Sequence, residues 1–101
     1  MKFLVFSVVD VAKIPDLMQA LDKVADTPGS KVLARYTCMG LAFPGVLPNT
    51  VVGVSIMEYE SSEAMAARLY PGMLAGATTW AVPVLEMPVT GAAEVEKKYR
   101  K

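Results

Sequence analysis

Three features of this 101-residue chain predict a single α+β domain with the element order β-α-β-β-α-β. The first is the stretch Thr50 to Tyr70, TVVGVSIMEYESSEAMAARLY, in which a two-sided alternation runs straight into a capped helical segment. The second is the N-terminal run MKFLVFSVVD, apolar on both sides of a would-be strand. The third is the last apolar run, which carries Pro83 inside it and Pro88 at its end, as an edge strand does.

Each element has its own local reason. Phe3 to Val9 places Leu4, Phe6 and Val8 on one face and Phe3, Val5, Ser7 and Val9 on the other. From Ile14 the period becomes helical: Ile14, Leu17, Met18, Leu21, Val24 and Ala25 share a face, and Pro15 suits a first turn. Thr27-Pro28-Gly29-Ser30 then turns the chain. Lys31 to Met39 is the second strand, with Val32, Ala34, Tyr36 and Cys38 on one side and Lys31, Leu33, Arg35, Thr37 and Met39 on the other; its charges suggest an edge. Gly40 to Asn49 is a long apolar connection, expected to fold over a pocket or pack on a partner.

In the third strand, Val51 to Glu60, the aliphatic face is Val52, Val54 and Ile56, while Val51, Gly53, Ser55, Met57 and Tyr59 form a roomier face with hydroxyls. Ser61-Ser62 offers an N-cap and Glu63 puts negative charge in the first turn of the second helix. Pro71-Gly72 is expected to interrupt that helix, leaving a short turn from Met73 to Ala77. Thr78 to Met87 reads as the fourth strand. The domain is placed at residues 1–90, with 91–101 an exposed tail whose Glu94–Lys98 and Glu96–Arg100 spacings support a frayed helix.

Composition removes several functional classes. Lysine and arginine balance aspartate and glutamate, with basic residues clustered only at the terminus, so nucleic acid is not an expected partner. No histidine is present, which excludes histidine-based acid–base chemistry and most zinc or haem ligation; no cofactor and no metal are expected. The apolar N-terminus is too short for a membrane span and lacks a signal-peptide cleavage pattern. With Cys38 as the one cysteine, the reading is a cytoplasmic protein without disulfides.

The element order is the split-βαβ, or ferredoxin-like, plan of a four-stranded antiparallel sheet, with the first and third strands central. Two helices cover one face of such a sheet, yet 53% of the chain is apolar and both central strands are apolar on both sides. A second copy is the simplest cover for the other face, giving a homodimer or higher homo-oligomer with an interface on the order of 1,200–2,000 Å².

On that element order, the doubly apolar MKFLVFSVVD and the run LYPGMLAGATTWAVPVLE, the chain over Met1 to Met87 resembles the dimeric α/β-barrel superfamily, specifically its small members that carry only a domain-of-unknown-function label. In that superfamily two ferredoxin-like sheets face each other and close into a barrel. Its members include cofactor-free quinone-forming monooxygenases, muconolactone isomerases and haem-degrading and haem-peroxidase enzymes, so the fold does not choose a function. The monooxygenases use an Asn, Trp and Tyr set; the counterparts would be Asn49, Trp80 and Tyr36 or Tyr59, but their positions do not match that motif and no role is carried over.

The expected function is therefore binding of a small apolar or aromatic molecule in a cavity of each protomer, on the barrel side of the sheet. Its wall is assigned to Ser7, Arg35, Ser55, Met57, Tyr59 and Trp80, with the Phe43 loop as lid. Ser7 and Ser55 carry this expectation, because small hydroxylated residues in central strands leave space. Arg35 either takes an anionic ligand or is a solvated edge charge; Trp80 is either a stacking surface or plain interface packing, and the plainer reading is favoured for both. Glu58 and Glu60 are read as the solvated end of a strand, and Cys38 and the methionines as core filler. The alternatives are a cofactor-free monooxygenase or isomerase acting on an aromatic substrate, with no assigned catalytic residue, and a non-catalytic oligomerisation module.

Overall fold

The structure is a computed structural model that describes residues 1–40 and 44–100. Four strands, β1 (Lys2–Asp10), β2 (Ser30–Thr37), β3 (Thr50–Tyr59) and β4 (Thr78–Pro83), form one antiparallel sheet in the order β2-β3-β1-β4. The helices are α1 (Ile14–Lys23), α2 (Ser62–Leu74) and a short α3 (Ala92–Lys97).

Local chemistry sets the helix boundaries. A 3₁₀ turn at Val11–Lys13, which the periodicity of the sequence does not reveal, joins β1 to α1; Asp10 caps it by accepting the Ala12 N–H at 2.8 Å. Ser61 Oγ accepts the Ala64 N–H at 3.1 Å and starts α2, with Glu63 in the first turn. Contrary to the expected break, α2 runs through Pro71 to Leu74. Near the helix end the proline removes one backbone donor only, and the turn still closes through Ala75 N–H to the Pro71 carbonyl at 3.0 Å. At Gly72 an added Cβ would lie 3.3 Å from Leu17 Cδ1, so the missing side chain is what lets α2 approach α1.

Two strands differ from their expected bounds. β4 stops at Pro83 instead of reaching Met87; the Val84 N–H still donates to the Lys2 carbonyl at 3.1 Å, so Pro83, in register with Phe3, has its missing N–H on the outer side of the edge strand. β2 ends at Thr37, and its register shifts between Val32 and Ala34. Leu33 is the extra residue of this bulge, so Val32 and Ala34 lie on opposite faces of the sheet; strict alternation had put them together.

The helices cover the face carrying Phe3, Val5, Ser7 and Val9. There Val5, Met57 and Tyr59 are buried, packed with Phe3, Val32 and Ala81 of the sheet and Met65 and Leu69 of α2. Val9, Leu17 and Ala77 form a second buried group with Ile14, Leu21 and Val51. This reverses the expected assignment: Ser7, Arg35, Ser55, Met57 and Tyr59 lie beneath the helices, not on the open side. Alternation defines which residues share a face but leaves unsaid which face the helices take, and both faces of β1 and β3 are apolar enough for either choice.

The open face reads as two rows across all four strands, Tyr36–Val54–Phe6–Trp80 and Ala34–Ile56–Leu4–Val82. Phe6 and Trp80 stack with centroids 5.7 Å apart. Tyr36, Trp80 and Val82 are exposed. At one end of this face Glu58 stands in register between Lys2 and Lys31.

Candidate functional site

A cavity of about 560 Å³ lies between the helix-covered face and the two long helices. That volume is within the range of small-molecule sites. Its origin is visible in the cross-strand register. Thr37, Gly53, Ser7 and Thr79 form one row through all four strands, and every member is small. A Cβ added at Gly53 would meet only the Tyr36 carbonyl at 3.8 Å, so the space above the row is open. The Ser7 and Thr79 hydroxyls hydrogen-bond at 3.2 Å and satisfy each other at the floor. The neighbouring row is Arg35–Ser55–Val5–Ala81. Ile14, Leu17 and Leu21 of α1 and Leu69 of α2 supply an apolar roof.

The polar groups gather around Arg68. It is 5% exposed, lines the cavity, and donates from Nη1 to the Val24 carbonyl at the end of α1. Burial lowers its pKa from the ordinary arginine value, and the positive charge of Arg35 lowers it further. Tyr59, also on the wall, is 5% exposed, and its buried hydroxyl has no hydrogen-bond partner among the described residues. Burial raises the Tyr59 pKa, while the Arg68 charge acts in the opposite direction and loses. Arg35 sits at the mouth, on the exposed edge strand. None of the residues lining this cavity is an aspartate or glutamate.

Of the wall residues expected from the sequence, Ser7, Arg35, Ser55, Met57 and Tyr59 line this one cavity. Trp80 does not; it belongs to the open face, against Phe6. Phe43, the expected lid, lies outside the described residues. Among the described residues no group of three or more Cys, Asp or Glu could hold a metal ion, and no helix is long and apolar enough to cross a membrane.

Arg68 was missed in the sequence, although a signal was present. Ala64, Arg68 and Gly72 are the buried positions of α2 at spacing i, i+4, i+8, and Met65 and Leu69 flank that stripe. A cation on the buried stripe of a helix needs a reason for being there. The Thr79 and Thr37 contributions depend on cross-strand register and carry no such signal.

No sequence family and no curated protein matches the chain. Among solved structures it is similar to an unknown protein from Galdieria sulphuraria, with a TM-score of 0.50 and 12% identity over 87% of this chain and 47% of that one. The chain thus spans about half the length of that protein. It is also similar to a DUF3240 family protein from Shewanella baltica, with a TM-score of 0.43 and 12% identity over 89% of this chain and 97% of that one. At 12% identity the likeness to the Galdieria sulphuraria protein concerns the fold. The class so defined is a small α+β domain of unknown function, built on a four-stranded antiparallel sheet with three helices.

Proposed function

We propose that this protein binds a small, largely apolar molecule in the cavity between sheet and helices, and that it works as a homodimer of the ferredoxin-like, dimeric α/β-barrel kind. The observation that carries the first part is the row Thr37–Gly53–Ser7–Thr79. A protein selected only for stability would fill that layer with larger apolar side chains, such as the Val54, Phe6 and Trp80 of the neighbouring open-face row. The dimer is supported by the two apolar rows left without helices, with Tyr36 and Trp80 exposed at opposite edges. The cytoplasm is the proposed location, on the single free Cys38. A cofactor-free oxygenase or isomerase has less support, because Trp80 stands across the sheet from the cavity. A module without any ligand would leave the cavity unexplained.

The test is methyl-resolved NMR of the full chain titrated with 1-octanol. Saturable shifts at Leu17, Leu21, Met57 and Leu69, abolished in Gly53→Leu, are the expected result. Shifts confined to Leu4, Val54 and Ile56, or no saturable shifts, would remove the cavity as a binding site.

A further inference from the structure

Two guanidinium groups serve a cavity with no carboxylate among its described lining residues. Removing a cation from water is costly unless it gains a charged partner or a full set of acceptors. Arg68 gains no charged partner from the described residues: its one hydrogen bond goes to Val24 O, and its remaining nitrogens, which are not among the buried atoms lacking a partner, keep their access to the cavity space. That carbonyl does not need Arg68, since it already accepts from Thr27 N–H at 3.1 Å and Thr27 Oγ1 at 2.7 Å. Capping the end of α1 therefore does not account for a buried guanidinium.

Arg35 forms no ion pair with a described residue, and its charge is felt at Arg68. The unpartnered Tyr59 hydroxyl adds a donor in the same region, close enough to Arg68 for the two to influence each other's ionisation. The helix side of the space is apolar, lined by Leu17, Leu21 and Leu69, and the sheet side adds Val5 and Met57 beside the hydroxyls of Ser7, Thr37, Ser55 and Thr79.

We infer that the cavity selects a monoanionic amphiphile, a carboxylate on a hydrocarbon or aromatic body, with its head group between Arg35 and Arg68 and its body against Leu17, Leu21 and Leu69. This rests on the cavity being a ligand site, as proposed above. The two oxygens of a carboxylate match the forked donors of a guanidinium, and the second arginine can take the remaining lone pairs. Arg35 and Arg68 are the two charged side chains among the described lining residues, and Ser55, in register beside Arg35, adds a hydroxyl. Binding relieves the mutual repulsion of the two cations, which an uncharged ligand of the same shape cannot do.

Calorimetric titration of the 101-residue chain with sodium octanoate, 1-octanol and octyl phosphate tests this. Octanoate is expected to bind roughly tenfold or more tighter than 1-octanol. Arg35→Gln and Arg68→Met should each remove that preference, read as the ratio of octanoate to 1-octanol affinity within each protein. Arg35 is on an exposed edge, so Arg35→Gln keeps the test intact if Arg68→Met does not fold. Equal affinities for octanoate and 1-octanol, a preference for octyl phosphate, or an octanoate preference that survives both substitutions would overturn the carboxylate assignment and leave the cavity a ligand site. Binding of none of the three would overturn both.

Discussion

The two faces of this sheet break the usual rule in opposite directions. Under the helices, where a core belongs, the chain keeps a row of small residues, a buried guanidinium and a phenol hydroxyl without a partner. On the side without helices, where polar residues belong, it keeps Leu4, Phe6, Val54, Ile56, Trp80 and Val82. Both faces share the same strands and the same backbone geometry, so the contrast is a matter of side-chain choice. That contrast is the ground for proposing a small molecule on the helix side and a second copy of the chain on the other.

The largest effect that could break this comparison is expected at Val54. It lies mid-row on the open face, between Tyr36 and Phe6 in register. If a second copy covers that face through a two-fold axis, Val54→Lys inserts its charge into the interface twice. Leaving one unpaired buried charge costs about 3–5 kcal/mol, so association should weaken by more than roughly 100-fold. Analytical ultracentrifugation of the native chain and the variant at micromolar concentration checks it: native dimer and variant monomer are expected. A native monomer would mean that the open face is finished as it stands.

On the helix side the next largest effect is expected from Arg68→Met. Replacing a buried, poorly partnered charge with an apolar side chain of similar length is neutral or stabilising, by up to about 1–4 kcal/mol. The Val24 carbonyl keeps its two donors from Thr27. Urea denaturation of the ligand-free protein should therefore show an unchanged or higher midpoint. A loss of several kcal/mol would mean that Arg68 holds α2 to the end of α1 and is structural first.

This contrast between faces was only half legible in the sequence. Element order, the central place of MKFLVFSVVD and the edge character of the Pro83 strand follow from periodicity and from missing backbone donors, which are local properties. The grouping of Ser7, Ser55, Met57 and Tyr59 on one side follows from alternation. Which side that is depends on where α1 and α2 dock, and Val5 and Phe6 are equally suited to either. The Leu33 bulge is likewise silent, since an extra residue in an otherwise alternating strand looks like ordinary alternation until its partner strand is known. Trp80 was drawn into the site by its chemistry, and one step of register puts it on the far side of the sheet.

The smallest effect concerns Tyr59, and its sign with pH sharpens the account of the cavity wall. A buried hydroxyl with no partner carries its desolvation penalty uncompensated, so Tyr59→Phe should stabilise the ligand-free chain by about 1 kcal/mol near neutral pH. Because burial raises the phenol's pKa in the folded state, the folded chain holds that proton more tightly than the unfolded chain does. The contribution is fully present below pH about 10, the unfolded value, and is lost as pH rises through the folded value. The native chain should thus lose stability faster than Tyr59→Phe above pH 10, by at most about 1.4 kcal/mol per pH unit. Lysine deprotonation is common to both proteins and cancels in the difference between their denaturation midpoints. If that difference narrows above pH 10, the folded chain is stabilising a phenolate, Arg68 is pairing with it, and the guanidinium has a charged partner within the chain after all.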